Sequence, residues 1–286
     1  MKTALEVKHL TKDYGSFRLD DVSFTVPGGT IMGLIGENGA GKSTTIKCIL
    51  NLIRRDGGEI TVLGLDNIAH ERAVKEDVGV VLDESTFHDM LRPRQVGKVL
   101  SGIYQNWDGA AFDRYLEKFE LPAGKLIKEF SKGMKMKLSF AAALSARPRL
   151  LILDEATGGL DPVVRDDILD ELLAFIQDED HAVLLSSHIT SDLEKVADYI
   201  SYLHKGKLVI QGAKDELLER YGRLACTRAE LERVDPALVV GVRRSQFSCE
   251  ALVNDRRAVA RRYPELTVDP VTLEEIMVFT VKGEQL

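Results

Sequence analysis

The chain has 286 residues, 44% hydrophobic and 29% charged, which supplies the apolar material for one large domain, or one domain plus a small appendage, with a soluble surface. Its net charge of −7 argues against a general nucleic-acid-binding surface. No apolar run approaches the length of a membrane span, Glu6, Lys8 and Lys12 break up any secretory leader, and the scattered Cys48, Cys226 and Cys249 offer neither a metal spacing nor a disulfide framework, so the chain is expected to remain in the cytosol.

In chain order, Ala4–Leu10, Phe17–Val26 and Thr30–Ile35 read as short strands, the last two joined by the turn Pro27-Gly28-Gly29. A helix is expected over Thr44–Ile53, then a hairpin-type turn at Asp56-Gly57-Gly58 and a strand over Glu59–Leu63. Val78–Leu82 is a short apolar run of buried-strand type. From about residue 86 to 147 strand signals vanish, and Val96, Val99, Leu100 and Ile103, then Phe112, Tyr115, Leu116 and Phe119, fall at helical spacing. Leu150–Leu153 returns to strand, Pro162 opens a helix through Ile176, and Val183–Ser187 is the next strand. Ser191–Ala197 reads as a helix, and Ile200–His204 with Lys207–Gln211 as a hairpin turning at Lys205-Gly206. Strands alternating with helices imply a mainly parallel sheet covered on both faces. The expected organisation is an α/β domain over residues 1–222, β-rich at its start and carrying a helical insertion over about 86–147. A small accessory subdomain follows over residues 223–286, where charge rises and glycine thins out. The arginine pairs Arg243-Arg244, Arg256-Arg257 and Arg261-Arg262 within it read as solvated faces.

The chemistry concentrates in Gly36-Glu37-Asn38-Gly39-Ala40-Gly41-Lys42-Ser43, followed by Thr44. A glycine-rich loop between a buried strand and a helix wraps backbone N–H groups around phosphate oxygens, and the helix dipole points its positive end at the same anion. Lys42 adds a charge that reaches the β- and γ-phosphates, and the Ser43 hydroxyl suits a magnesium ligand. Downstream, Leu150-Leu-Ile-Leu153 delivers Asp154 and Glu155 at a strand's carboxyl end, where ligands sit in open α/β sheets. Asp154 suits Mg²⁺, and Glu155 suits orienting or deprotonating an attacking water. Ser131, in Phe130-Ser131-Lys132-Gly133-Met134, is a good N-cap and makes a second anion-binding helix end. Asp161 either caps the helix opened by Pro162 or serves an interface. His188, after Ser186-Ser187, sits where it can donate to a γ-phosphate oxygen.

Together these segments resemble, in order and over about residues 3–220, the nucleotide-binding subunit of an ATP-binding-cassette (ABC) transporter. The resemblance implies a P-loop NTPase fold with a mixed sheet, ATP and Mg²⁺ as cofactors, and ATP hydrolysis powering a separate transmembrane permease. In its terms Gly36–Ser43 looks like Walker A, Ser131–Met134 like the signature loop and Leu150–Glu155 like Walker B. Gly159–Asp161 resembles the D-loop and His188 the switch histidine. Tyr14 resembles the aromatic residue that stacks on adenine, although it also reads as an ordinary exposed strand aromatic. The implied catalytic residues are Glu155, His188 and Lys42. The nucleotide contacts are Tyr14, Gly36 to Thr44, Ser131 and Gly133, and the metal ligands are Ser43, Asp83 and Asp154. Two segments depart from the family pattern: the signature, which usually begins with a leucine and carries Ser-Gly-Gly-Gln, here reads Ser131-Lys132-Gly133-Met134 after Phe130, and Asp83 stands where the family has glutamine, with Glu84 as an alternative of longer reach. "FSKGMKMKL" and the C-terminal extension look most like the exporter branch.

The implied partners are an integral-membrane permease, docking by resemblance near Asp83 to Gln105, and a second ATPase subunit, as homodimer or heterodimer. That places the chain on the cytoplasmic face of the membrane. Two other readings stay open at this point: a soluble, non-transport ABC ATPase acting on nucleic acid, ribosomes or an assembly complex, and a P-loop small-molecule kinase.

Overall fold

The computed structural model describes residues 2–83, 86–245 and 248–284. They divide into two compact units, residues 1–211 and 212–286.

The first unit opens with β1 (Thr3–Asp13) and β2 (Arg18–Pro27), an antiparallel pair whose alternating burial puts Leu5, Val7, Val22 and Phe24 inside. Then come β3 (Ile31–Ile35), α1 (Lys42–Ile49), β4 (Gly57–Val62), β5 (Leu65–Asp66), α2 (Glu71–Glu76) and β6 (Val78–Val81). The helical insertion holds α3 (Pro93–Leu100), α4 (Gly109–Lys118) and α5 (Lys132–Ser145). After it run β7 (Leu150–Asp154), α6 (Pro162–Phe175), β8 (Ala182–Ser187), α7 (Thr190–Val196), β9 (Tyr199–His204) and β10 (Lys207–Ala213).

Two sheets result. One is four-stranded in the order β2-β1-β4-β5, antiparallel throughout. The other is six-stranded in the order β10-β9-β3-β8-β7-β6. In it β3, β7 and β8 are buried along their whole length, which is why they read as unbroken apolar runs. Their pairings, and those of β6 with β7 and β9 with β3, are parallel, so their carboxyl ends share one edge. Register sharpens this: Ile35 lies opposite Ser187, Asp154 opposite Ser186, and Val81 opposite Leu153. The residues just past those positions are therefore neighbours in space.

Three expectations are corrected. The helix after the glycine loop spans Lys42–Ile49, because Leu50 leaves helical geometry as its C-cap. Asp56-Gly57-Gly58 is no hairpin turn: Gly57 and Gly58 already belong to β4, which pairs with the distant β1 across a register shift. The break between units falls at Gln211/Gly212 rather than Gly222, because the intervening helix α8 (Lys214–Arg220) packs on α10 (Arg256–Arg262) of the second unit.

That unit continues with β11 (Gly222–Cys226), α9 (Arg228–Leu231), β12 (Val239–Arg244), β13 (Cys249–Val253), α10 (Arg256–Arg262), β14 (Val268–Asp269) and α11 (Leu273–Lys282). Its sheet runs β12-β13-β11-β14, over a core that includes Leu224, Leu231, Val242, Ala251, Val253 and Val259. Among the described residues no helix is long and apolar enough to cross a membrane.

Candidate functional site: a phosphate loop facing paired carboxylates

The glycine loop leaves β3 and enters α1 through Gly41, whose φ of +112° belongs to the left-handed side that glycine adopts without cost. A Cβ there would lie 2.5 Å from Leu19 Cδ2 and 2.9 Å from Phe17 Cζ, so the position is closed sterically as well. No side chain caps α1. Its first N–H groups, unpaired within the helix by construction, suit an anion.

Lys42 turns back into the loop. Its Nζ donates to Gly36 O at 2.7 Å and Glu37 O at 3.2 Å, and pairs with Glu155 Oε1 at 3.0 Å, with the side chain only 5% exposed. Glu155 extends the chain of contacts, its Oε2 lying 2.5 Å from Nδ1 of the half-exposed His188. Glu155 is itself in left-handed geometry, φ +53°, and its N–H donates to Ser186 O of β8. That unusual conformation at the end of β7 swings its carboxylate toward Lys42 and His188.

Asp154 lies deeper. Ser186 Oγ donates to its Oδ1 at 3.0 Å, and the Ser43 hydroxyl hydrogen-bonds the same carboxylate. Burial holds the Asp154 pKa above the usual carboxylate range, the two hydroxyls oppose that shift, and the charges of Glu155 and Asp83 add to it. Asp83, exposed after β6, is thus within electrostatic reach of Asp154, whereas Glu84 lies outside the described residues. Among the described residues no cluster of three or more histidine, cysteine, aspartate or glutamate side chains stands ready for a metal. The donor set at half-buried Ser43 and buried Asp154 is nonetheless hard oxygen and carries an ionisable carboxylate that a divalent cation would neutralise, so the residues fit Mg²⁺.

Lys42, Ser43, Asp83, Asp154, Glu155 and His188 therefore converge, while other expected residues lie apart. Ser131 caps α5, its Oγ accepting from Met134 N at 3.2 Å, with no contact to the glycine loop. Gly133 faces Val164 of α6. Tyr14 is 52% exposed in the β1–β2 turn, but its N–H donates to the carbonyl of Phe17, whose ring lies against Gly41. Asp161 caps α6, accepting from Val164 N.

Sequence reading missed three participants. His204 pairs with Glu37 at 2.9 Å, Lys132 reaches Gly158 O at 2.8 Å, and buried Asp192 of α7 pairs with Arg165 at 3.8 Å. Only Lys132 carried a sequence signal, as a departure from the family pattern.

A phosphate-cradling helix end facing paired carboxylates at the edge of a parallel sheet defines a P-loop ATPase. Within that class the chain belongs to the ABC transporter family, as one of its ATP-binding, ATP-hydrolysing subunits: the ABC transporter profile matches residues 19–158. The ABC transporter ATP-binding protein YtrB of Bacillus subtilis is 33% identical over 218 residues, covering 76% of this chain and 74% of the relative. The bacitracin transport ATP-binding protein BcrA of Bacillus licheniformis is 34% identical over 226 residues, 77% and 73% of the two chains. A solved ATP-binding subunit of an ABC transporter superposes with a TM-score of 0.69 at 30% identity, over 75% of this chain and 91% of that one. The match with transport proteins along most of their length favours the transporter reading over the kinase and non-transport alternatives.

Proposed function

We propose that this chain hydrolyses magnesium-bound ATP as one half of a two-subunit sandwich, on the cytoplasmic face of a membrane, and thereby drives a separate permease of exporter type. The observation that carries the reading is the contact chain Lys42–Glu155–His188 at the mouth of the phosphate loop. A buried ammonium, a carboxylate and an imidazole stand in line where a γ-phosphate and its attacking water would lie.

In this reading Gly36 to Thr44 cradle the phosphates and Lys42 neutralises the β- and γ-oxygens. Glu155 orients and deprotonates the water, and His188 donates to the γ-phosphate. Ser43 and Asp154, with Asp83 beside them, would hold Mg²⁺, which when bound offsets phosphate charge. Tyr14 stacks on adenine from the turn that Phe17 anchors beside the loop. Ser131 and Gly133, remote from the loop of their own chain, meet the γ-phosphate of the second subunit. ATP closes the pair because its γ-phosphate makes contacts ADP cannot.

The exporter assignment is supported by its relatives, which include a bacitracin transport ATP-binding protein, a linearmycin resistance ATP-binding protein of Bacillus subtilis and a daunorubicin resistance ATP-binding protein of Streptomyces coeruleorubidus.

Glu155→Gln tests the chemistry. It is expected to keep ATP binding, form an ATP-dependent dimer by light scattering, and lose turnover by about 10²–10⁴-fold. Normal hydrolysis by that variant removes the base assignment. Pull-down from detergent-solubilised membranes tests the partner, and recovery of no membrane protein counts against transport.

A further inference from the structure

Lys132 is the exposed first residue of α5, directly after the cap Ser131. A cation there opposes the positive end of the helix dipole, so its ammonium needs an acceptor elsewhere. It finds one across the chain: Nζ donates to Gly158 O at 2.8 Å. Gly158 belongs to the turn that follows Glu155, and its N–H donates to Glu155 O at 3.1 Å. The next residue, Gly159, has φ +69°, and a Cβ on it would sit 3.1 Å from Lys132 Nζ. The ammonium is therefore seated against the backbone of this turn.

The contact continues as a seam. The next residue of α5, Gly133, faces Val164, and further along the helix Lys137 pairs with Asp167 of α6 at 2.9 Å. Yet Lys132 grips the turn carrying Glu155, whereas Lys137 grips the helix beyond it.

We propose that Lys132 is a positioning residue that mechanically joins the two nucleotide half-sites of one subunit. The inference rests on the sandwich arrangement proposed above. There, Glu155 serves the triphosphate in its own phosphate loop, whereas Ser131 serves the triphosphate held by the partner. A bond from the residue beside Ser131 to the turn behind Glu155 means that when the partner's nucleotide moves one loop, the other moves with it. Occupancy of one site is thereby reported to the carboxylate at the other, a coupling free energy between sites.

The test is the ATP dependence of hydrolysis by wild type, Lys132→Met and Lys132→Arg, alongside ATP-driven dimerisation of each in a Glu155→Gln background. Wild type is expected to show a Hill coefficient near about 2, the number of sites, and Lys132→Met a value near about 1. The methionine variant is also expected to lose turnover several-fold, while half-saturating ATP changes by less than about twofold. Dimerisation should persist in all three. Lys132→Arg, which keeps the charge and the donors, should retain cooperativity, which a merely structural role for the side chain would not require. Lys132→Gln carries the same expectation as methionine and replaces it should that variant not fold. Cooperativity in Lys132→Met equal to wild type, or its absence from wild type, overturns the proposal. Failure of the Glu155→Gln protein to dimerise with ATP is a separate result: it removes the sandwich, and this inference with it.

Discussion

At the scale of single residues, the site sets a buried acid against the stability of the fold. Asp154 is nearly inaccessible and its pKa is raised, chiefly by burial. The sign of the linkage follows. The folded state holds the proton more tightly than the unfolded chain, so ionised Asp154 is tolerated at a cost that is absent in acid. That cost develops as pH rises from the ordinary carboxyl value of 3.8 through the raised folded value. Asp154→Asn is therefore expected to raise the melting temperature of nucleotide-free protein at neutral pH and to abolish magnesium-dependent hydrolysis. The stability difference from wild type should shrink in acid, as calorimetry across pH would show; a variant less stable than wild type at neutral pH contradicts this account. Cys48 illustrates the opposite use of burial. Its thiol is pushed up to about 11, mainly by desolvation, and it packs from the buried face of α1 into the core as an inert apolar group. It should resist alkylation at neutral pH in folded protein and react once denaturant is added.

At the scale of elements, the junction of β3, the glycine loop and α1 carries the heaviest geometric demands. Gly41 combines φ +112° with side chains of Phe17, Leu19 and Leu203 on every open side. Gly41→Ala is expected to cost about 1–3 kcal/mol in urea unfolding and to weaken ATP binding together with stability. An alanine variant of unchanged stability would show that the loop has an easy alternative path.

This junction was also the most legible part of the chain. The loop is read from a contiguous pattern, and β3, β7 and β8 announce themselves because strands covered on both faces need unbroken apolar runs. Short amphipathic pieces were not legible. Helix α2 buries only Val74 and shows no periodicity, and α1 stops at Ile49 although Leu50 and Ile53 continue an apolar spacing. Least legible were the contacts that define the site's charge state. The ion pair of Lys42 with Glu155 and the bond of Lys132 to Gly158 depend on which strands lie side by side, and no local pattern encodes strand order.

At the scale of the whole molecule, every residue assigned to nucleotide chemistry lies in the first unit. The second unit has a core of its own around the fully buried Leu224. Leu224→Ala is expected to destabilise that unit by about 2–5 kcal/mol, seen as an early phase in chemical denaturation. The half-saturating ATP concentration of the native protein should stay as it was; a matching change would show that the accessory unit shapes the nucleotide site.

One feature of the resting molecule reaches further. The ammonium of Lys42 is already neutralised by Glu155 before any polyphosphate arrives, so an incoming nucleotide must outcompete a resident carboxylate. Replacing that competitor with an uncharged amide leaves the cation its two carbonyl acceptors but no counter-charge. Glu155→Gln should then capture ATP several-fold more tightly than wild type even in dilute solution, where no second subunit is at hand. The lesion that silences turnover would, at the same stroke, sharpen the protein's grip on its fuel.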